Sequence, residues 1–359
     1  MKYFFILGRN PELSKQEILS YLKRTENKAK NYTQKNNSIL IDVKNKIEDN
    51  AIDKLGGIIS IGKVLTDNEN KKLYSGNKNK INYIIWNFSN KIDEFRKMLK
   101  DYFKKEKIKA TEKKLSRIIE MQSGEKSSTF SSKKIDEQYF IFENYFGKII
   151  QTCDYKKIEK RDMEKPIRRS ELSISPRLAK IMINLSEIKK GKLIDAFCGI
   201  GVILQEALLQ GISVIGVDKD KKALEDAKKN LEWFGFSKEN YKLIKADSRK
   251  VKIHEAEVFV TEPDLGEILK KIPTEKKAQE ILKKFENLII PVINNLKNKI
   301  KGRLVLTTPF IKTMHKRISC NADYIAKKTN LSIILKIPEF RKNQIIGREI
   351  IVLEDKSYK

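Results

Sequence analysis

The chain has 359 residues, with 75 lysine and arginine side chains against 47 aspartate and glutamate, a formal charge of +28. That length holds two or three domains with sizeable cores. The charge points to an anionic partner, although Lys, Asn and Ile are abundant throughout and part of the excess is compositional. Cys153, Cys198 and Cys320 are too widely spaced for a disulfide framework or zinc knuckle, and fit reduced thiols in a cytoplasmic protein. His254 and His315 make neither a metal site nor a Ser-His-Asp triad, so no metal is expected. No apolar run reaches membrane-spanning length, and residues 3–7 are too short for a signal peptide, so no membrane partner is expected.

Residues 1–65 alternate strand and helix. A strand is predicted over residues 3–7. Ser14 and Glu17 have capping-box spacing ahead of the apolar stripe Ile18, Leu19 and Leu22. A strand at 39–43 and a helix marked by Ile47, Ala51, Ile52 and Leu55 follow, the helix ended by Gly56-Gly57. A strand at 58–64 closes a small α+β sandwich, which a plain structural domain would satisfy equally well. Residues 66–80 read as a polar linker. Residues 81–153 predict a second α+β unit, with a strand at 81–88, helices at 92–103 and 112–121, a Ser/Lys-rich mobile loop at 123–132, and strands near 139–146 and 148–153. Its lysines could contact phosphates or form a solvated face. Residues 155–170 carry seven basic and three acidic side chains and read as a basic linker into the C-terminal half.

Residues 193–218 (LIDAFCGIGVILQEALLQGISVIGVD) are the most informative stretch. They combine a buried strand, Asp195, a glycine turn with Gly199 and Gly201, an apolar helix, a second apolar strand and Asp218. This is the opening βαβ of a doubly wound sheet. A dinucleotide site would want a third glycine. Here an acidic residue starts the turn, which would repel a pyrophosphate but suits a cationic or zwitterionic ligand such as S-adenosylmethionine. The turn alone also fits an ordinary structural βαβ. Asp247, after a further strand at 241–244, adds a third acidic strand end in order. Ser175-Pro176 opens a helix with Pro at its first position. Strands at 258–260, 304–307, 331–337 and 345–353, and helices at 275–299 and 319–329, complete an α/β, Rossmann-like seven-stranded sheet with a terminal hairpin.

On these residues the chain resembles the class I S-adenosylmethionine-dependent methyltransferases. Asp195 to Gly201 is similar to the D-P-F-C-G-x-G form of the motif in the THUMP-domain tRNA (guanine-N2-)-methyltransferases, with Ala196 replacing Pro. Ile6 to Ser14 with Leu55-Gly56-Gly57, the segment Arg161 to Leu185, and Asn230-Leu231-Glu232-Trp233 resemble the same family. The resemblance implies an N-terminal ferredoxin-like domain (1–65), a THUMP-like RNA-binding domain (66–155) and a Rossmann-fold methyltransferase domain (156–359, with the basic linker 156–170). It implies S-adenosylmethionine as cofactor and tRNA or another structured RNA as partner. Ser175, Pro176, Asp195, Phe197, Cys198, Gly199, Gly201, Asp218 and Asp247 would line the cofactor, with Asp218 on the ribose and Asp247 on the adenine.

Amino-directed methyltransferases carry D/N-P-P-Y/F after the fourth strand. The acid or amide and a proline carbonyl accept hydrogen bonds from the exocyclic amine, and the aromatic ring stacks on a flipped base. Here the segment is Glu262-Pro263-Asp264-Leu265. Glu262 replaces the shorter acid, Asp264 the second proline and Leu265 the ring; Phe310 is a candidate replacement ring or a core residue. The expected activity is methyl transfer to the N2 of a guanosine in tRNA. A non-catalytic S-adenosylmethionine- and RNA-binding protein and an rRNA guanine-N2 methyltransferase are the alternatives. A DNA amino-methyltransferase leaves residues 1–153 without a role.

Overall fold

A computed structural model describes residues 1–66, 73–115, 117–120, 126–129, 135–168 and 174–356. The chain forms two compact units. The first comprises Met1–Lys15, Glu26–Asp53 and Gly57–Cys153, and the second Gln16–Thr25, Lys54–Gly56 and Asp154–Lys359. Parts of four expected features lie outside the described residues: 67–72 of the linker, 116 and 121 of the helix expected at 112–121, 169–170 of the basic segment, and the Ser/Lys-rich loop apart from 126–129.

The N-terminal elements are β1 (Lys2–Leu7), α1 (Pro11–Arg24), β2 (Ala29–Lys35), β3 (Ser38–Val43), α2 (Ala51–Lys54) and β4 (Ile58–Val64). They are followed by β5 (Lys80–Phe88), α3 (Ile92–Lys105), β6 (Lys109–Glu112), β7 (Arg117–Glu120), β8 (Lys126–Thr129), β9 (Glu137–Phe142) and β10 (Tyr145–Thr152). Among the described residues of 112–121 no helix is formed. β6 pairs with β5 and β7 with β8, so backbone hydrogen bonds go to neighbouring strands instead. The capping-box reading also fails. Asn10 accepts the Leu13 N–H at 3.2 Å ahead of Pro11, while the Ser14 hydroxyl donates to the Gly57 carbonyl at 2.9 Å. Asn-Pro is the stronger helix opening, because Pro at the first position wastes no donor.

The first unit is built on one sheet in the order β2-β3-β1-β4-β10-β9-β5-β6. The two regions read as separate α+β units meet where β4 pairs with β10, Gly147 opposite Val64 and Lys148 opposite Lys63. Its clearest core lies under α3. Phe95, Leu99 and Phe103, spaced four apart on one helix face, pack on the alternating Ile81, Tyr83 and Ile85 of β5 and on Tyr139 and Ile141 of β9.

The second unit contains α4 (Tyr155–Glu164), α5 (Pro176–Leu185), β11 (Lys192–Asp195), α6 (Val202–Leu208), β12 (Ser213–Asp218), α7 (Lys221–Trp233), β13 (Tyr241–Lys245) and β14 (Val258–Thr261). It continues with α8 (Glu275–Leu296), β15 (Leu304–Lys312), β16 (Arg317–Ser319), α9 (Ala322–Thr329), β17 (Leu331–Glu339) and β18 (Ile346–Asp355). The sheet order is β13-β12-β11-β14-β15-β18-β17, with the short β16 added to β15 beyond the expected strands. β11 to β15 run parallel and β18 lies antiparallel between β15 and β17. One sheet face, carrying Ile194, Ile215, Phe259, Leu306 and Ile351, is covered by α8 and α9. Leu204 of α6 packs over Gly216, on the opposite face by strand alternation. Helices on both faces leave the carboxyl ends of the parallel strands as the natural ligand crevice. Among the described residues no helix is long and apolar enough to cross a membrane.

Candidate active site

The carboxyl ends of four adjacent parallel strands are tied together by hydrogen bonds. Asp195, the last residue of β11, is buried, and its Oδ1 accepts the Thr261 hydroxyl from the end of β14 at 2.5 Å and the Phe197 N–H at 3.1 Å. The turn after β11 is fixed to β12: Cys198 N–H donates to the Val217 carbonyl at 3.0 Å, and Gly199 N–H donates to Asp218 Oδ2 at 3.0 Å. The Ser248 hydroxyl, beyond β13, donates to the Ala196 carbonyl at 2.5 Å. Burial pushes the Asp195 carboxyl up to about 7, against the pull of Thr261 and the Phe197 amide and helped by the nearby Asp218 and Glu262 charges. Burial also drives the Cys198 thiol up, so it is an inert packing group and not a nucleophile.

The turn needs its glycines. Gly199 and Gly201 have φ of +49° and +85°, a region that costs other residues strain. Nothing lies within 4 Å of where a Gly199 Cβ would stand, whereas a Gly201 Cβ would meet the Ala227 Cβ at 3.4 Å. Gly199→Ala is therefore expected to fold without a clash, but its left-handed φ costs about 1–2 kcal/mol and lowers the melting temperature by a few degrees. Its methyl would fill the open side of the turn and weaken S-adenosylhomocysteine binding by about tenfold or more, as overpacking by about 1–3 kcal/mol implies. Calorimetric titration beside thermal unfolding checks both halves.

The other expected cofactor residues are distributed as follows. Asp218 ends β12 and also accepts the Asp220 N–H at 2.9 Å. Asp247 is half-exposed, and its two oxygens are engaged by Arg249 through the backbone N–H, Nε and Nη2 at 2.5–3.0 Å; this pairing holds its carboxyl down at about 2. Phe197 is half-buried beside the core of the α8 face. Ser175 caps α5, its hydroxyl accepting the Leu178 N–H at 3.2 Å, with Pro176 buried at the first helical position.

Glu262 follows β14 directly. Its side chain is 9% exposed and is gripped by Arg348 of β18: Nε lies 3.1 Å from both carboxylate oxygens and Nη2 lies 2.6 Å from Oε1. Burial raises the Glu262 carboxyl, while the Arg348 charge and hydrogen bonds pull it back. Pro263 is buried. Asp264 turns the chain, its Oδ1 accepting the Gly266 N–H at 3.0 Å, and Leu265 packs, half-buried, against the core of the α8 face. The aliphatic Leu265 thus offers no ring to stack. Phe310 does not supply one beside Glu262. It pairs with Gly347, and strand alternation puts it on the face opposite Pro309 and Arg348. Its ring lies 5.4 Å from that of Phe340, with Arg317 close to both.

Thr261, Ser248 and Arg348 are site residues that the sequence reading missed. Thr261 and Ser248 adjoin Glu262 and Asp247, so the same two motifs carry their signal; no local signal marks Arg348, 86 positions from its partner. The basic segment also proves partly self-neutralised. Arg161 of α4 pairs with the buried Glu206 at 2.5 Å, and Lys165, 5% exposed, pairs with Asp162 at 2.6 Å. Those charges serve packing within the unit.

A family model described as "RMKL-like, methyltransferase domain" matches residues 167–334, and one described as "DNA methylase" matches residues 8–229. A tRNA (guanine(10)-N2)-dimethyltransferase of Methanothermobacter thermautotrophicus is 40% identical over 96 residues, covering 26% of this chain and 28% of that protein. The second family model spans more than half of the chain, and the chain belongs to the methyltransferase family that these models describe. The enzyme of the same name from Methanocaldococcus jannaschii is 36% identical over 121 residues, 32% of this chain and 33% of that one. The matched stretches span about a third of these relatives' length. For the fold, TrmN from Thermus thermophilus superposes with a TM-score of 0.51 at 12% identity, covering 99% of this methyltransferase-family chain and 100% of that one. A possible methylase from Clostridium difficile superposes with 0.51 at 14% identity, covering 99% and 97%. Both carry the mixed α/β, Rossmann-like architecture.

Proposed function

We propose that this chain transfers methyl groups from S-adenosylmethionine to the exocyclic N2 of a guanosine in tRNA. The observation that supports this most is the Thr261–Asp195 hydrogen bond, which joins the Glu262-Pro263 segment to the glycine turn. A target amine and a cofactor would then meet across one strand boundary. The turn fits S-adenosylmethionine: it is acidic, open at Gly199 and bounded by carboxylates, which suits a cationic ligand and not a phosphate. Asp195, Gly199 and Gly201 would hold the methionine end, Asp218 the ribose hydroxyls and Asp247 the adenine amine, with Phe197 and Cys198 in the turn and Ser175-Pro176 at the α5 start as neighbours. When bound, the cofactor supplies an activated methyl group.

The work of the protein's own residues is positioning. Glu262 and the Pro263 carbonyl accept hydrogen bonds from the amine of a guanosine flipped out of its stack, which aims the nitrogen lone pair. Residues 1–65 and 66–155 are read as ferredoxin-like and THUMP-like regions that hold a folded tRNA by shape and phosphate, in a cytoplasmic protein. Exposed lysines of the first unit, such as Lys97, Lys100 and Lys104 on α3, would contribute. RNA affinity is then expected to fall by orders of magnitude between low and physiological salt. A flat salt response in filter binding would overturn the phosphate-gripping part.

The Arg348 grip on Glu262 and the aliphatic Leu265 favour a second reading, a protein that binds S-adenosylmethionine and RNA without turnover. Labelled S-adenosylmethionine incubated with unmodified tRNA transcript, an rRNA fragment and duplex DNA separates the two. Label on N2 of a tRNA guanine, with the count of methyl groups read by mass spectrometry, is the expected result. No transfer to any substrate, with cofactor and tRNA both bound, would establish the second reading.

A further inference from the structure

Glu262 stands where the amino-directed family motif has a shorter acid or amide, and the structure supplies a reason for the extra methylene. Both carboxylate oxygens meet one guanidinium, at 2.6 and 3.1 Å. Shortening the side chain by one carbon would withdraw those oxygens by more than about 1 Å, beyond hydrogen-bond range. Arg348 is itself 20% exposed, held on β18 opposite Pro309, so the pair sits largely out of water. In that setting an unpaired carboxylate loses its charge.

The grip leaves Glu262 usable. A carboxylate has about four lone-pair sites. Oε1 receives two of the Arg348 contacts and Oε2 only one, at 3.1 Å. Resting on the functional reading above, we infer that Arg348 is a positioning residue, which keeps Glu262 ionised and turns Oε2 toward an exocyclic amine. An ionised carboxylate accepts hydrogen bonds and donates none, so the pair also selects a base that presents an amine: guanosine over inosine. The other charged groups around the pair are Asp195 at the end of β11 and Glu339 on β17, which lies opposite Arg348. Both are acidic, so neither can replace the guanidinium.

The test is methyl transfer to unmodified tRNA transcript by Glu262→Asp, Arg348→Lys and Arg348→Gln beside the wild type. Glu262→Asp restores the shorter acid of the family motif, yet kcat is expected to fall about tenfold or more, with KM for S-adenosylmethionine unchanged. In Arg348→Gln the acid limb of the kcat profile should move up by about one pH unit, because the buried carboxylate has lost its counter-charge. Arg348→Lys should move it less. Glu262→Asp at wild-type rate, or superimposable pH profiles, would overturn the inference. If the wild type methylates nothing, the functional reading fails and the pairing is still tested by a melting-temperature cycle on Glu262→Gln, Arg348→Met and the double variant. Strongly non-additive losses are expected, and additive losses would overturn the pairing itself. Arg348→Lys preserves the charge should the neutral variants fold poorly.

Discussion

Methyl transfer to tRNA by a Glu262→Ala variant is expected to fall at least about a hundredfold, with S-adenosylhomocysteine affinity close to wild type. Two losses combine. The amine loses its acceptor, and only the Pro263 carbonyl remains to orient it. Arg348 also loses the carboxylate that compensates its charge. Breaking a buried pair from one side costs about 3–5 kcal/mol, and the partial exposure of Arg348 puts the figure at or below the low end of that range. Rates must therefore be measured per folded molecule, with single-turnover transfer at saturating tRNA read beside circular dichroism. The cofactor arm discriminates further, because Asp195 and Asp218 are untouched by the change. Transfer within threefold of wild type would remove Glu262 from the chemistry and leave the Pro263 carbonyl as the sole amine acceptor.

What the sequence made legible was local. Strand β11, the glycine turn, α6 and β12 could be read because their apolar runs, positive-φ glycines and terminal acids fall within one short stretch. Ser175-Pro176 could be read because a cap and its proline are adjacent. Strand β2 could not: residues Ala29–Lys35 are polar and almost wholly exposed, so no alternation of apolar residues marks them. Arg117–Glu120 lies inside the helix expected at 112–121, and the strand Lys109–Glu112 was not expected, for a related reason. Short strands rich in charged residues carry a weak signal, and sheet pairing decides them. The capping misreading shows a competition between two plausible caps, in which Asn10-Pro11 prevails and frees Ser14 for the Gly57 carbonyl.

The active-site departures follow the same division. Glu262, Asp264 and Leu265 announce in sequence that the motif is altered, but their consequences depend on distant residues. Asp264 closes a turn onto Gly266, whose φ is +106° and where a Cβ would stand only 2.8 Å from Ile281 Cγ2. That turn packs Leu265 against the core of the α8 face. The compensation for the longer acid comes from β18, which reaches the site only because it inserts between β15 and β17. Sheet order is a non-local property. An arginine flanked by Gly347 and Glu349 gives no hint of it. Phe310 illustrates the converse: an aromatic at the right strand end, turned by alternation to the other face.

The affinity of the protein for S-adenosylhomocysteine is expected to rise about fivefold between pH 6 and pH 7, as Asp195 ionises. Its carboxyl is pushed up to about 7 by burial, so the charge that would hold the ligand's amino group is absent in mild acid. The charged groups facing it are the acids Asp218 and Glu262, both of which oppose its ionisation. In Asp195→Asn the pH dependence should vanish and affinity should fall about ten- to a hundredfold, the worth of a charge-assisted hydrogen bond. The amide oxygen can still accept from the Thr261 hydroxyl and the Phe197 N–H, so the strand ends should stay joined. Stability should move the other way. With its carboxyl raised above the ordinary carboxylate value, the folded protein keeps a proton that the unfolded chain has lost. The Asp195 contribution is then most favourable below pH 4, declines as pH climbs to about 7, and is flat beyond. Without ligand at pH 8, Asp195→Asn should therefore melt at or above the wild-type temperature while binding more weakly. An acid whose burial costs stability and is recovered on binding has that signature; an Asp195→Asn protein that melts lower and binds with the wild-type pH profile would show that Asp195 serves only to join β11 to β14.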